Sequence, residues 1–384
     1  MMKSQAREGT SEVREVRESR DVSGGALSRR CRMKLLILGG TRFLGRHLTE
    51  QALAQGHAVT LMHRGRSGPV LFPHAEHRIA DRDGDLAALA HGKWDSVIDT
   101  SAYVPRQVHA VAAQLAGRVG QYQLVSTISV YADTGAGGVD EDAALQVLPD
   151  PSTEAVTGDT YGGLKALCEQ AAQEGFAGRC LISRPGLLVG PHDPSGRFSW
   201  WVQRLQRGDT VLAPGDPATP VQLIDARDAA AWMLLQATNG VTGTTGVFNL
   251  TGPAQPLTIG GLLMAAREAL NPAAQLQWVD EKFLHSAGVA PWSDLPVWLP
   301  RAQAGLHSVN INRALATGLQ CRPLAATLAD TAQWLQDCAA SPSVLPAAAA
   351  ASATSPARPA VGLTPEREAA LLRAWEAHQA HTAR

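Results

Sequence analysis

Residues 35–45, Leu-Leu-Ile-Leu-Gly-Gly-Thr-Arg-Phe-Leu-Gly, constrain this chain more than any other stretch. The apolar run Leu35 to Leu38 is too short for a helix and suits a strand buried on both faces. It breaks into glycines and resumes with Phe43, Leu44, Leu48 and Leu53 at helical spacing, with Arg46, His47 and Glu50 as the outer face. Strand, glycine turn and helix make a dinucleotide-binding turn when a second strand follows, and Ala58 to Met62 supplies one after about a dozen helical residues. In this reading Gly39 permits the tight turn and Gly40 keeps the backbone bare where a pyrophosphate approaches. Gly45 lets the helix sit close to the sheet, while Thr41, Arg42, Phe43 and Leu44 carry the first free N–H groups toward the phosphates.

Beyond the turn, strand and helix alternate. Strands are expected at 34–38, 58–62, 77–80, 95–99, 121–126, 179–183, 221–224 and 246–250, with helices between most of them. The alternation predicts an α/β fold: a Rossmann-type doubly wound parallel sheet, with a smaller, irregular C-terminal substrate domain. The cofactor-binding domain is placed at 33–190, with return strands at about 221–250. Segments 191–220 and 251–340 form the substrate-binding part, where most of the tryptophans fall. Residues 1–32 alternate Glu, Arg and Ser with few apolar side chains and are expected to be disordered, with Met33 as an alternative translation start. Residues 341–362 read as an Ala/Pro/Ser linker. Thr364-Pro365 then opens a C-terminal helix within 363–384, whose Leu371, Leu372 and Trp375 stripe is expected to dock on the chain's own domain.

Composition narrows the class. Hydrophobic content of 45% and charged content of 18% over 384 residues describe a globular protein with ample core. A formal charge of -1 argues against a protein built to coat nucleic acid. The five cysteines form no CxxC pair and read as reduced, mostly buried thiols of a cytoplasmic protein. No apolar stretch approaches the roughly 20 residues of a membrane span, and the N-terminus lacks an apolar signal core. There is no zinc spacing, no Walker lysine and no Gly-x-Ser-x-Gly elbow, so no metal is expected and the NTPase and serine hydrolase classes fall away.

Tyr161 and Lys165 stand four apart in Thr-Tyr-Gly-Gly-Leu-Lys, which on a helix puts both on one face. A tyrosine normally titrates near pH 10 and is a poor base at neutrality; a neighbouring ammonium is expected to favour the phenolate. Upstream, Leu-Val-Ser-Thr-Ile-Ser-Val-Tyr (124–131) ends a strand with hydroxyls at Ser126, Thr127 and Ser129, one of which can hydrogen-bond the substrate oxygen.

Glycine turn, hydroxyl-bearing strand end and Tyr-x-x-x-Lys in this order resemble the extended short-chain dehydrogenase/reductase superfamily, the NAD-dependent epimerase/dehydratase family. The resemblance spans about residues 33 to 338, including Arg184-Pro185-Gly186 and Leu223-Ile224-Asp225. It implies that Tyr161 is the acid/base, that Lys165 holds the nicotinamide ribose and tunes the tyrosine, and that Thr127 is the family's Ser/Thr. Asp81 resembles the adenine contact. The implied activity is an NAD(P)-dependent epimerase or reductase acting on a hydroxyl or carbonyl of a small-molecule substrate, a sugar or sugar-nucleotide-like derivative, and the family allows a homodimer.

Departures refine this. Arg42 replaces the middle glycine of the turn, and His63-Arg64 replaces the acid at the end of the second strand. An acid there accepts a ribose 2′-hydroxyl, whereas arginines accommodate a 2′-phosphate, so NADP is favoured over NAD. Thr127-Ile128-Ser129 lacks the acid pair of the dehydratases, and Leu187 and Val221 replace the family's diphosphate-holding Asn and Arg, which weighs against a UDP-sugar. His192 is read as a hydrogen-bonding loop residue before an auxiliary acid/base, and Trp292 with Trp298 as an aromatic wall or a packed loop. Gly-Gly-Thr-Arg-Phe with His57 to Gly65 also resembles the chloroplast stem-loop-binding proteins and their bacterial relatives. That resemblance implies an alternative, RNA binding, although no basic run flanked by aromatics supports it.

Overall fold

The computed structural model describes residues 32–66, 71–239, 243–340 and 361–382. The strands in chain order are β1 (Lys34–Leu38), β2 (Ala58–His63), β3 (Glu76–Ile79), β4 (Trp94–Asp99), β5 (Val119–Val125), β6 (Cys180–Pro185), β7 (Leu187–Val189), β8 (Thr210–Pro214), β9 (Pro220–Val221), β10 (Leu223–Asp225), β11 (Gly246–Leu250), β12 (Leu257–Thr258) and β13 (Gln275–Val279). The helices are α1 (Phe43–Ala54), α2 (Pro105–Leu115), α3 (Tyr161–Gly175), α4 (Arg197–Arg207), α5 (Ala226–Thr238), α6 (Ile259–Leu270), α7 (Glu281–Ser286), α8 (Asn312–Ala316), α9 (Leu324–Ala340) and α10 (Pro365–Thr382).

Seven strands form one parallel sheet in the order β11-β6-β5-β4-β1-β2-β3. β1 shows why this sheet is covered on both sides. Leu35 and Ile37 join a core with α1 and α5, while Leu36 and Leu38 join a second core with α2 and α3. Successive side chains of a strand point to opposite faces, so a strand apolar at every position needs two partners. Strand order reverses between β1 and β4, and the crevice outside their C-terminal ends is where such folds bind ligands.

The expected strand at 221–224 is corrected. It divides at Gln222: β9 pairs antiparallel with β12, β10 pairs parallel with β7, and neither enters the central sheet. Pro220 offers no N–H, and the Gln222 amide is taken by Val309, donating to its carbonyl at 3.0 Å and accepting its N–H at 2.9 Å. An apolar Val-x-Leu-Ile pattern is the same in either setting, so periodicity could not separate them. Only 246–250 returns to the sheet, as the edge beside β6.

The substrate-side segments are also more regular than expected. Residues of α4, β8, α6, β13, α9 and α10 share a third core containing Trp201 and Trp298. β8 and β13 pair in parallel from Thr210–Gln275 to Pro214–Val279. Into this core α10 brings Leu371, and its Glu368 carboxylate accepts from Arg204 Nε at 2.5 Å and from the Leu212 amide at 3.0 Å. The expected N-terminal extension, apart from Arg32, and the Ala/Pro/Ser tract as far as residue 360 lie outside the described residues. Among the described residues no helix is long and apolar enough to cross a membrane.

Candidate active site

The glycine turn follows β1 directly. Gly39 lies at φ +93°, and a Cβ there would sit 2.6 Å from Thr100 Oγ1. A Cβ on Gly45 would sit 2.1 Å from the Gly39 carbonyl oxygen, so α1 can start this close to the turn only without a side chain. Gly40 differs from its expected role. Its missing side chain faces Leu61 and Thr49 inside the fold, and its carbonyl accepts the Thr49 hydroxyl at 2.9 Å. The packing of α1, not the approach of a phosphate, requires glycine there.

α1 opens with Arg42 in the N-cap position, extended and without a side-chain cap, and its first turn holds no acidic residue. Phe43 adopts φ +39°, an uncommon conformation for a bulky residue. The first N–H groups and the positive end of the helix dipole are thus left for an anion. The expected outer face is partly wrong. His47 is buried, with Nε2 3.0 Å from the Pro191 carbonyl and Nδ1 3.3 Å from Glu50. The loop after β7 covers that face, which helical periodicity alone does not reveal.

α3 begins at Tyr161, and Lys165 follows one turn later. The Thr127 side chain stands close enough to Tyr161 to favour its phenolate, so the structure brings these two expected site residues together. Thr127 itself accepts the Ser129 amide at 3.1 Å and caps the short 3-10 turn Ile128–Val130. It therefore combines the structural role with contact to the tyrosine. Lys165 Nζ donates to the carbonyls of Val125 at 2.6 Å and Ala102 at 2.7 Å, joining the ends of β5 and β4 at the crevice. Two of its three N–H donors are spent there, and one remains for a further acceptor.

The electrostatic expectation for the tyrosine is corrected. Burial, aided by Tyr103, pushes Tyr161 up to about 12, and only the nearby Thr127 side chain opposes this. Burial also lowers the pKa of Lys165. In the protein alone, desolvation outweighs any benefit of the ammonium, because Lys165 is turned to the carbonyls.

Sequence reasoning missed the charged layer beneath the site. Arg82 makes two 2.8 Å hydrogen bonds to Asp99 at the end of β4, and Tyr122 donates to the same carboxylate at 2.8 Å. The Arg82 guanidinium and the Ser101 amide hold Asp99 below the usual carboxylate range against the opposing effect of complete burial. Asp99 also fixes the Ser101 turn that leads to Ala102, the lysine's acceptor. One turn beyond Lys165, Glu169 accepts Ser126 Oγ at 2.5 Å and pairs with Arg184 at 2.6 Å. An aspartate closing β4 directly after the apolar Val97 and Ile98 was the available signal, since a buried carboxylate demands a cation.

At the adenosine end, Arg42 and Arg64 are exposed and make no hydrogen bond or ion pair among the described residues. Asp81 accepts the Asp83 amide at 3.2 Å and so shapes its own loop. His63 is buried, with Nε2 2.8 Å from His77 Nδ1. His192 packs with ring centroids 5.6 Å from His47 and 5.4 Å from Trp334, and burial, reinforced by Arg46 and His47, lowers it to about 4. It is a neutral packing residue. Of the two tryptophans, Trp298 is buried in the third core, while Trp292 is half-buried with the Arg197 guanidinium 5.1 Å over its ring.

Comparison with known proteins follows this geometry. The model of the family described as NAD dependent epimerase/dehydratase family matches residues 35–251. The chain is 25% identical over 253 residues to the chloroplast stem-loop binding protein of 41 kDa b of Arabidopsis thaliana, covering 62% of this chain and 63% of that protein's length. Among solved structures, a putative epimerase from Burkholderia cenocepacia is 18% identical with a TM-score of 0.61, over 80% of this chain and 99% of that one. UDP-glucuronic acid 4-epimerase from Bacillus cereus, solved in complex with NAD, is 15% identical with a TM-score of 0.59, over 79% and 97%. At these identities the two structures speak for the fold.

Proposed function

The chain belongs to the NAD dependent epimerase/dehydratase family, and on that footing we propose that it is an NAD(P)-dependent epimerase or reductase acting on a secondary hydroxyl or carbonyl of a sugar derivative. The observation that carries this is Tyr161 at the start of α3 with the Thr127 side chain beside it and Lys165 one turn behind. Gly39 and Gly45 let the uncapped start of α1 come close behind β1, and its free N–H groups fit a dinucleotide pyrophosphate. When bound, the nicotinamide supplies the hydride acceptor and donor. Thr127 holds the substrate oxygen, and Tyr161 takes the hydroxyl proton during oxidation or returns one during reduction. Lys165 offers its remaining N–H to the cofactor ribose.

Val221 is buried in the third core and Leu187 packs against it. Neither offers a polar group to a diphosphate, which favours a sugar derivative over a UDP-sugar. Arg42 and Arg64, both free of protein partners among the described residues, favour NADP over NAD.

Mass spectrometry of the natively purified protein tests the reading. Tightly held NAD(P)+ supports an epimerase, in which the hydride returns to the same substrate; an empty site with NADPH consumption supports a reductase. On a substrate recovered this way, Tyr161→Phe should lower kcat by about 10² to 10⁴, and full activity of that variant removes the mechanism. Likeness to a stem-loop binding protein supports a second reading, in which the fold binds RNA. Structured RNA bound at physiological salt and displaced by the cofactor would favour it.

A further inference from the structure

His63 occupies the end of β2, where this class of fold places the residue that reads the adenosine ribose. Both of its ring nitrogens are engaged within the protein. The Gly65 amide donates to Nδ1 at 3.0 Å, Nε2 lies 2.8 Å from His77 Nδ1, and His77 Nε2 lies 3.1 Å from the Phe72 carbonyl. The rings meet edge to face, with centroids 5.1 Å apart. An amide only donates and a carbonyl only accepts, so a single proton arrangement completes the chain. His63 accepts at Nδ1 and donates from Nε2, His77 accepts at Nδ1 and donates from Nε2, and both rings are neutral.

We propose that His63 and His77 form a proton-operated latch that holds the Gly65 turn, and with it Arg64, where the 2′-phosphate of the cofactor's adenosine is gripped. This rests on the NADP reading above. Arg64 is exposed and makes no side-chain hydrogen bond or ion pair among the described residues, so its aim is set chiefly by the backbone it shares with Gly65, which lies at φ +73°. Either ring can take a further proton only at Nδ1. On His63 that proton meets the Gly65 N–H, and on His77 it meets the His63 Nε2–H. Each event replaces a hydrogen bond with two opposed hydrogens in a site where His63 is buried, a costly arrangement.

The charged surroundings leave the pair as the responsive element. Glu76 on β3 is held by Arg78 at 2.8 Å and by the Thr60 hydroxyl at 2.9 Å. On α1, Arg46 and His47 both pair with Glu50, and β1 carries only Lys34, at its opposite end. Arg64 and Arg66 lie on the exposed turn. His77 is the one ionisable group acting on His63, and burial together with that ring keeps the His63 pKa below its ordinary value. The latch is therefore closed at neutral pH and opens as pH falls.

Calorimetric titration of the full-length protein with 2′,5′-ADP, and with 5′-AMP as the ligand lacking the 2′-phosphate, tests this. His63→Asn keeps an oxygen where Nδ1 accepts Gly65 but does not titrate, whereas His63→Leu accepts nothing. Near pH 7.5, wild type and His63→Asn should bind 2′,5′-ADP alike, and His63→Leu about tenfold more weakly, with 5′-AMP affinity shared by all three. Lowering the pH stepwise from about 7.5 to about 5 should weaken 2′,5′-ADP binding progressively, and about twofold or more further in wild type than in His63→Asn, because His63 takes its proton below the ordinary histidine range. The ligand's own phosphate protonates in every variant and cancels in that comparison. Equal pH profiles for wild type and His63→Asn overturn the latch alone. Equal losses of 5′-AMP and 2′,5′-ADP in His63→Leu overturn its link to the 2′-phosphate. A wild type that binds 2′,5′-ADP no tighter than 5′-AMP near pH 7.5 overturns the NADP reading and the latch's role in it together.

Discussion

Tyr161 is prepared for its proposed role by contact and left unprepared by charge. The Thr127 side chain already stands beside it, yet burial pushes its pKa up to about 12. In a spectrophotometric titration, the phenolate signal lost in Tyr161→Phe should therefore appear only in strongly alkaline solution without cofactor. Oxidised cofactor should shift that signal toward neutrality, because a cationic ring near a phenol favours the phenolate. An unchanged titration would show that the cofactor binds elsewhere. The arginines make the complementary case. Charge-assisted hydrogen bonds to a 2′-phosphate are worth roughly 1.5–3 kcal/mol each, or about tenfold or more in affinity. NADP(H) should bind more tightly than NAD(H) by calorimetry, and Arg42→Gly with Arg64→Asn should narrow or reverse the difference. Equal affinities in the wild type would place both arginines in solvent alone.

α1 shows what a sequence can and cannot disclose about an element. Its existence, its glycine turn and the strands on either side of it are readable, because a short apolar run and helical spacing are local properties. The role of each glycine is not. Gly40 and Gly45 are fixed by Leu61, Thr49 and the Gly39 carbonyl, neighbours that only the fold supplies. Gly45→Ala should lose cofactor binding and cost about 1–3 kcal/mol in urea unfolding, since a 2.1 Å approach to a backbone oxygen cannot be relieved by a rotamer change. Gly158→Ala, at a position with nothing within 4 Å of the added carbon, serves as the neutral control. The same distinction holds in the site. Tyr161, Lys165 and Thr127 could be proposed from the sequence because they stand in a known order. Arg82, Asp99, Glu169 and Arg184 could not, because each is explained only by the opposite charge packed against it.

At the scale of the molecule, the third core is bordered by a buried charge pair, Arg204–Glu368, with exacting geometry. One side of Glu368 holds a guanidinium on α4 and the other holds the amide of Leu212 on β8. Glu368→Leu alone should cost about 3–5 kcal/mol by denaturant unfolding, because it strands a buried cation; adding Arg204→Met should recover most of that loss. A loss below 1 kcal/mol would mean that α10 rests on the surface of the third core without closing it. The parallel sheet and the layers covering both its faces follow from the alternation of strand and helix in the sequence, whereas the strand order does not. Nor does the third core, since its strands are too short and too mixed to announce themselves.

The distance along the chain between the two charges has a consequence in time. Arg204 and Glu368 are 164 residues apart, so at about 5–20 residues per second a ribosome delivers the carboxylate roughly ten to thirty seconds after the guanidinium. Throughout that interval the nascent chain holds a cation with no counter-charge from α10, beside the apolar seat that Leu371 has yet to fill.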